Sequence, residues 1–138
     1  MFKKIVLATD GSDISREAGR KAAELAVDMD AELVAVFVST PFPYLTASEK
    51  DQFVQSARTA AESAFGELAD LIQEKAAFEA VFAESKDVGS AVMQVIEDKQ
   101  ADLLVVGSHG YSGLNKLLLG SVANKLAGRA PCPVLIVR

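Results

Sequence analysis

The sequence holds no tryptophan, one cysteine and one histidine among 138 residues, and each scarcity excludes a class of function. Cys132 has no partner for an internal disulfide or a CxxC redox pair, which suits a reducing compartment. Set between Pro131 and Pro133 at the head of an apolar run, it reads as a structural thiol rather than a reactive one. His109 stands alone, so the paired histidines of a nucleotidyl transferase are missing and a nucleophilic relay has little to draw on. No apolar run approaches the roughly 18 residues of a membrane span. The opening Met1-Phe2-Lys3-Lys4-Ile5 leads into no apolar leader segment. The expectation is a cytoplasmic protein that meets no membrane.

Charge narrows the partners further. Fourteen basic residues face 19 acidic ones, a formal net charge of -5. Affinity for nucleic acid comes mainly from Lys and Arg neutralising backbone phosphates, so nucleic acid is not expected as a partner. A small phosphate ligand stays open, because backbone N–H groups bind it without net positive charge. No G-x4-G-K-[ST] phosphate loop occurs anywhere in the chain.

What is present is an alternation of two periods. Ile5–Ala8, Leu33–Val38, Leu103–Val106 and Val134–Val137 are nearly unbroken apolar runs rich in Val, Leu and Ile. Such runs suit strands covered on both faces, as in a parallel sheet. Phe78–Glu84 carries acids and fewer aliphatics, which suits a strand nearer an edge. Between the runs the spacing turns helical: Ile14, Ala18, Ala22, Leu25 and Met29; then Phe53, Ala57, Ala61, Ala64, Leu68 and Leu71; then Val88, Val92, Val95 and Ile96, with Asp87 placed to cap. A fourth helix is expected from Ser121 through Leu126 toward Ala130, stopped by Pro131. Ser39 to Lys50, holding Pro41 and Pro43, reads as a long loop. Strand and helix thus alternate along one domain spanning residues 1–138. The fold class is α/β: an open, parallel, five-stranded, Rossmann-like sheet with helices on both faces.

Open sheets of this kind bind ligands beyond the carboxyl ends of their strands, where the strand order reverses. Two small, polar segments fall there: Thr9-Asp10-Gly11-Ser12 after the first strand, and Gly107-Ser108-His109-Gly110-Tyr111-Ser112-Gly113 after the fourth. Gly120-Ser121 then opens a helix, whose free N–H groups and dipole favour an anion. Two readings fit. The glycines and Ser121 form a phosphate cradle, or the glycines serve the loop and Ser121 is an N-cap.

At these residues the sequence resembles the universal stress protein family. Gly107, Gly110, Gly120 and Ser121 match its G-x2-G-x9-G-[ST] nucleotide motif with the spacing intact. The likeness runs the length of the chain, from Lys4-Ile5-Val6 and Thr9-Asp10-Gly11-Ser12 to the closing Ala130-Pro131-Cys132-Pro133-Val134-Leu135-Ile136-Val137. It implies strand order 3-2-1-4-5 and binding of ATP, with Mg2+ a possible companion. On that resemblance Gly107, Gly110, Gly120, Ser121 and Val122 would hold phosphates and ribose. Ala8, Thr9, Asp10 and Val38 would line the adenine and ribose end. Asp10 would either help hold the metal or serve as a turn acid before the first helix. His109 would either touch the ligand or shape the loop. One departure stands out: the position after Gly110, often basic in the family, is Tyr111, and Lys116 offers a cation from the next segment.

The resemblance also implies a homodimer, with Val134–Val137 as an edge open to pairing. The leading expectation is therefore an adenine-nucleotide-dependent regulatory module of the stress response. A slow ATPase centred on Asp10, or a nucleotidyl-transfer enzyme, is the alternative. A third reading is an interaction protein independent of nucleotide, using the Pro41–Lys50 segment with Phe42 and Tyr44. ATP, AMP and a cyclic nucleotide are not told apart by the motif.

Overall fold

The structure is a computed structural model that describes residues 1–110 and 118–138. Its elements run β1 (Lys4–Ala8), α1 (Asp13–Met29), β2 (Glu32–Ser39), α2 (Ala47–Ile72), β3 (Phe78–Glu84), α3 (Val88–Lys99), β4 (Leu103–Gly107), α4 (Ser121–Arg129) and β5 (Val134–Val137). The five strands form one sheet of order β3-β2-β1-β4-β5, parallel throughout. Strand order and helix placement agree with the expectation.

The unbroken apolar runs have a direct explanation. Successive side chains of a strand point to opposite faces, and here both faces are covered. Ile5, Leu7, Leu33, Ala35, Leu103 and Val105 pack under α1 and α2, against Ala18, Ala22, Leu68 and Ile72. Their neighbours Val6, Ala8, Val34, Val36, Leu104 and Val106 pack under α3 and α4, against Val92, Val95, Ile96, Ala123 and Leu126. β1 lies between β2 and β4 and is buried from Ile5 to Ala8. Cys132 is half-buried at the rim of the second core, and burial raises its thiol above the ordinary range. That setting supports the structural reading.

The two sheet edges differ. β3 carries Glu79 and Glu84, ion-paired to Lys99 and Lys50. β5 is Val-Leu-Ile-Val, with no charge along its length. At the start of β1 the Asp102 carboxylate accepts the N–H groups of Lys3 and Lys4, at 2.9 to 3.2 Å, and ties β1 to the entry of β4. Burial pulls this carboxyl upward, but the bonds from Lys4 and Lys3 outweigh it and the group is held below its usual range. No described helix is long and apolar enough to cross a membrane.

Two expectations need correction. The loop after β2 is shorter than Ser39 to Lys50: Ser39 belongs to β2 and Ala47–Lys50 to α2, leaving 40–46 irregular. The cause is the N-cap Thr46, whose hydroxyl accepts the Glu49 N–H at 3.2 Å. The apolar stripe of α2 also ends differently. Leu71 is exposed, and Ile72, four residues beyond Leu68, takes the buried place.

Candidate functional site

Beyond the carboxyl ends of β1, β2 and β4, a cavity of about 560 Å³ opens between α3 and the first turn of α4. This is the switch point at which the chain leaves β1 for β2 on one side and β4 on the other. Its inner wall is apolar: Ala8, Val36, Val38 and Val106 from the strands, Val88 and Val92 from α3. Its other end is polar, built from the two segments that follow β1 and β4.

The segment after β1 is held by its own short-range bonds. Thr9 N–H donates to the Val36 carbonyl at 3.0 Å and extends the parallel ladder. Thr9 and Ser15 hydroxyls lie 3.1 Å apart, both buried. Asp10 Oδ1 accepts the Ser12 N–H at 2.9 Å, an Asx turn, and Gly11 follows in the left-handed region at φ 81°. Ser12 then caps α1 by accepting the Ser15 N–H. Asp10 is therefore a turn acid through one oxygen, while its other oxygen lies so close to Gly110 that a Cβ there would overlap it. The carboxylate spans the gap between the two segments.

After β4, Ser108 is bonded on both sides. Ser108 N–H donates to the Val137 carbonyl and Gly120 N–H to the Ser108 carbonyl, each at 2.7 Å. That second bond brings α4 against β4. A Cβ on Gly120 would stand 3.1 Å from the Ser108 oxygen and 3.3 Å from the His109 Cα, both backbone atoms. The Ser108 hydroxyl and His109 Nδ1 lie 2.9 Å apart, and His109 is 8 % exposed at the cavity wall. His109 lines the cavity.

The N-termini of the helices differ in one respect. Ser12, Thr46 and Asp87 cap α1, α2 and α3 with a side chain. α4 starts on Gly120, with no side-chain cap bond. The reading of Ser121 as N-cap is thus corrected: it is the first helical residue, one place too late to cap. The first intrahelical bond joins Asn124 N–H to the Gly120 carbonyl. The N–H groups of Ser121, Val122 and Ala123 therefore have no partner within the helix, and all three residues line the cavity. With the helix dipole, this turn attracts an anion. Among the described lining residues Asp10 bears the sole formal charge.

Ala8, Thr9, Asp10, Val38, Gly107, His109, Gly110, Gly120, Ser121 and Val122 all line this one cavity. Tyr111, Ser112, Gly113 and Lys116 lie outside the described residues. The helical spacing of Val88 and Val92 gives no sign in the sequence that both also line the cavity. Sequence reading missed Val36 too, although Val36 and Val38 stand two apart on β2 and so share a face.

Comparison with known proteins finds relatives along the whole chain. The sequence pattern described as the universal stress protein family matches residues 1–138. A universal stress protein of Bacillus subtilis is 34% identical over 148 residues, covering 100% of both chains. One of Methanocaldococcus jannaschii is 33% identical over 153 residues, covering 100% of this chain and 83% of the relative. A solved structure, described as a universal stress protein in complex with cAMP, is 28% identical with a TM-score of 0.75, covering 99% of this chain and 97% of that one.

Proposed function

This chain belongs to the universal stress protein family, and from that premise we propose that its cavity binds an adenine nucleotide and makes the protein a nucleotide-dependent regulatory module. The observation that carries this reading is the first turn of α4, which has no side-chain cap, facing an apolar wall across one cavity. The base lies against Val38 and Val88, the partly exposed part of the apolar wall, where its flat surface is best hidden from water. The phosphates lie on the N–H groups of Ser121, Val122 and Ala123, which line the cavity. The ribose lies between them, within reach of Thr9, Asp10 and His109. A relative described in complex with cAMP supports the same ligand class. ATP, with Mg2+ beside Asp10, is the larger member of that class. The test is calorimetric titration of nucleotide-stripped protein with AMP, cAMP, ATP and Mg-ATP. Binding of at least one of them at micromolar to millimolar concentration is expected. No heat from any of the four, with the protein shown to be folded, would sink the reading.

The protein acts as a homodimer paired along β5. An uncharged edge strand is open to a second copy, whereas the charges on β3 guard the other edge. Leu135 is the residue to change, since it is 37 % exposed while Val134 and Ile136 pack on the second core. Light scattering is expected to show a dimer for the unmodified protein and a folded monomer for Leu135→Lys. A dimer that survives the substitution removes β5 as the interface.

A further inference from the structure

α3 and α4 form the two flanks of the cavity, and one set of side chains joins them away from it. Lys125, one turn beyond Ser121, sends its ammonium to the Asp87 carboxylate and to the Ser90 hydroxyl, the latter at 3.2 Å. Asp87 caps α3, accepting the Ser90 N–H at 3.3 Å and the Ser90 hydroxyl at 3.1 Å. The Lys125 stem lies over Gly89, close enough that a Cβ there would stand 2.8 Å from its Cδ. Neither Asp87 nor Lys125 lines the cavity, yet each sits beside residues that do: Val88 next to Asp87, and Ser121 to Ala123 a turn before Lys125.

From this arrangement we infer that the Asp87–Lys125–Ser90 clasp sets the spacing of α3 and α4, and through it the nucleotide affinity, with Asp87 and Lys125 as positioning residues that do not touch the ligand. The inference rests on the nucleotide reading above and concerns the regulation of the same cavity. An ion pair this exposed adds little to folding stability, so its effect lies in geometry. Without it α4, nine residues long, meets α3 through the apolar side chains of the second core, which slide more readily than a hydrogen-bonded clasp. The base wall on α3 and the phosphate turn on α4 then lose their fixed separation, and a misplaced contact costs affinity steeply. The Lys125 ammonium and the Ser90 N–H hold the Asp87 carboxyl at about 2, so Asp87 keeps its charge throughout the physiological range.

Two substitutions separate this role from simple attraction of phosphate by a lysine. Lys125→Met keeps the stem on Gly89 and removes the ammonium. Asp87→Ser keeps a capping oxygen and removes the carboxylate. The measurement is the AMP dissociation constant by calorimetry, with the thermal midpoint recorded beside it. Both variants are expected to bind AMP about tenfold more weakly, with midpoints within a few degrees of the unmodified protein, and Lys125→Arg to bind nearly normally. Direct attraction predicts the opposite for Asp87→Ser, because losing an acid frees the cation and tightens binding. Tighter binding by Asp87→Ser, or unchanged binding by both variants, overturns the clasp and leaves the nucleotide reading standing. Failure of the unmodified protein to bind AMP overturns both.

Discussion

Gly120→Val is expected to weaken AMP binding by about a hundredfold or more while leaving adenosine binding changed only a few-fold. The reason is steric and local. The Cβ position of Gly120 stands 3.1 Å from the Ser108 oxygen and 3.3 Å from the His109 Cα. Both are backbone atoms, pinned by the bonds from Gly120 N–H to Ser108 and from Ser108 N–H to Val137. A valine there meets main chain that cannot swing aside, so the first turn of α4 tilts away from β4. Its N–H groups no longer converge on one point. Losing two charge-assisted bonds at about 1.5 kcal/mol each gives roughly the hundredfold predicted. Adenosine carries no phosphate and uses the valine wall, so it reports whether the rest of the cavity survives. Gly120→Ala brings a smaller intrusion and is expected to fall between. Equal loss of AMP and adenosine would mean a collapsed cavity rather than a damaged cradle. AMP affinity unchanged in Gly120→Val would place the phosphate elsewhere.

The fold was legible because burial on both faces leaves a mark in composition. Ile5–Ala8 and Leu103–Val106 could belong only to strands covered above and below, and β1 and β4 are those strands. Helix ends were less legible. α1, α2 and α3 finish on Asp30, Gln73 and Gln100, all in the left-handed region that glycine usually marks. The start of α2 did carry a signal, Thr46 to Glu49, but two prolines just before it drew the boundary outward. The candidate site divides in the same way. Glycine spacing announces the polar end, since a Cβ would crowd Ile14 at Gly107, the Asp10 carboxylate at Gly110 and the Ser108–His109 backbone at Gly120. The valine wall is silent, because a residue lining a cavity and one filling a core share the same helical period. The clasp is silent for another reason: Asp87 and Lys125 stand 38 positions apart, and only the packing of α3 on α4 brings them together.

Leu126→Ala is expected to cost about 2–5 kcal/mol of stability, lowering the thermal midpoint by roughly 10 °C for a domain of this size. Leu126 is fully buried and packs in the second core with Val92, Val95, Ile96, Leu104 and Val106. α4 is nine residues long, too short to stand without tertiary packing, and Leu126 is its deepest anchor. Leu71→Ala is the control: the same chemical change on an exposed side chain should move stability by no more than about 0.5 kcal/mol. The Leu126 substitution also bears on function. An α4 that lifts from the sheet carries the phosphate-binding turn with it, so nucleotide binds only the anchored state. AMP at a hundred times its dissociation constant then adds about 2.7 kcal/mol, enough to recover most of the lost midpoint. Thermal melts of both variants with and without AMP make the measurement. A Leu126→Ala protein that melts near the unmodified temperature would show the second core to be more plastic than its packing implies. One that melts low and is not raised by AMP would separate α4 from the ligand altogether.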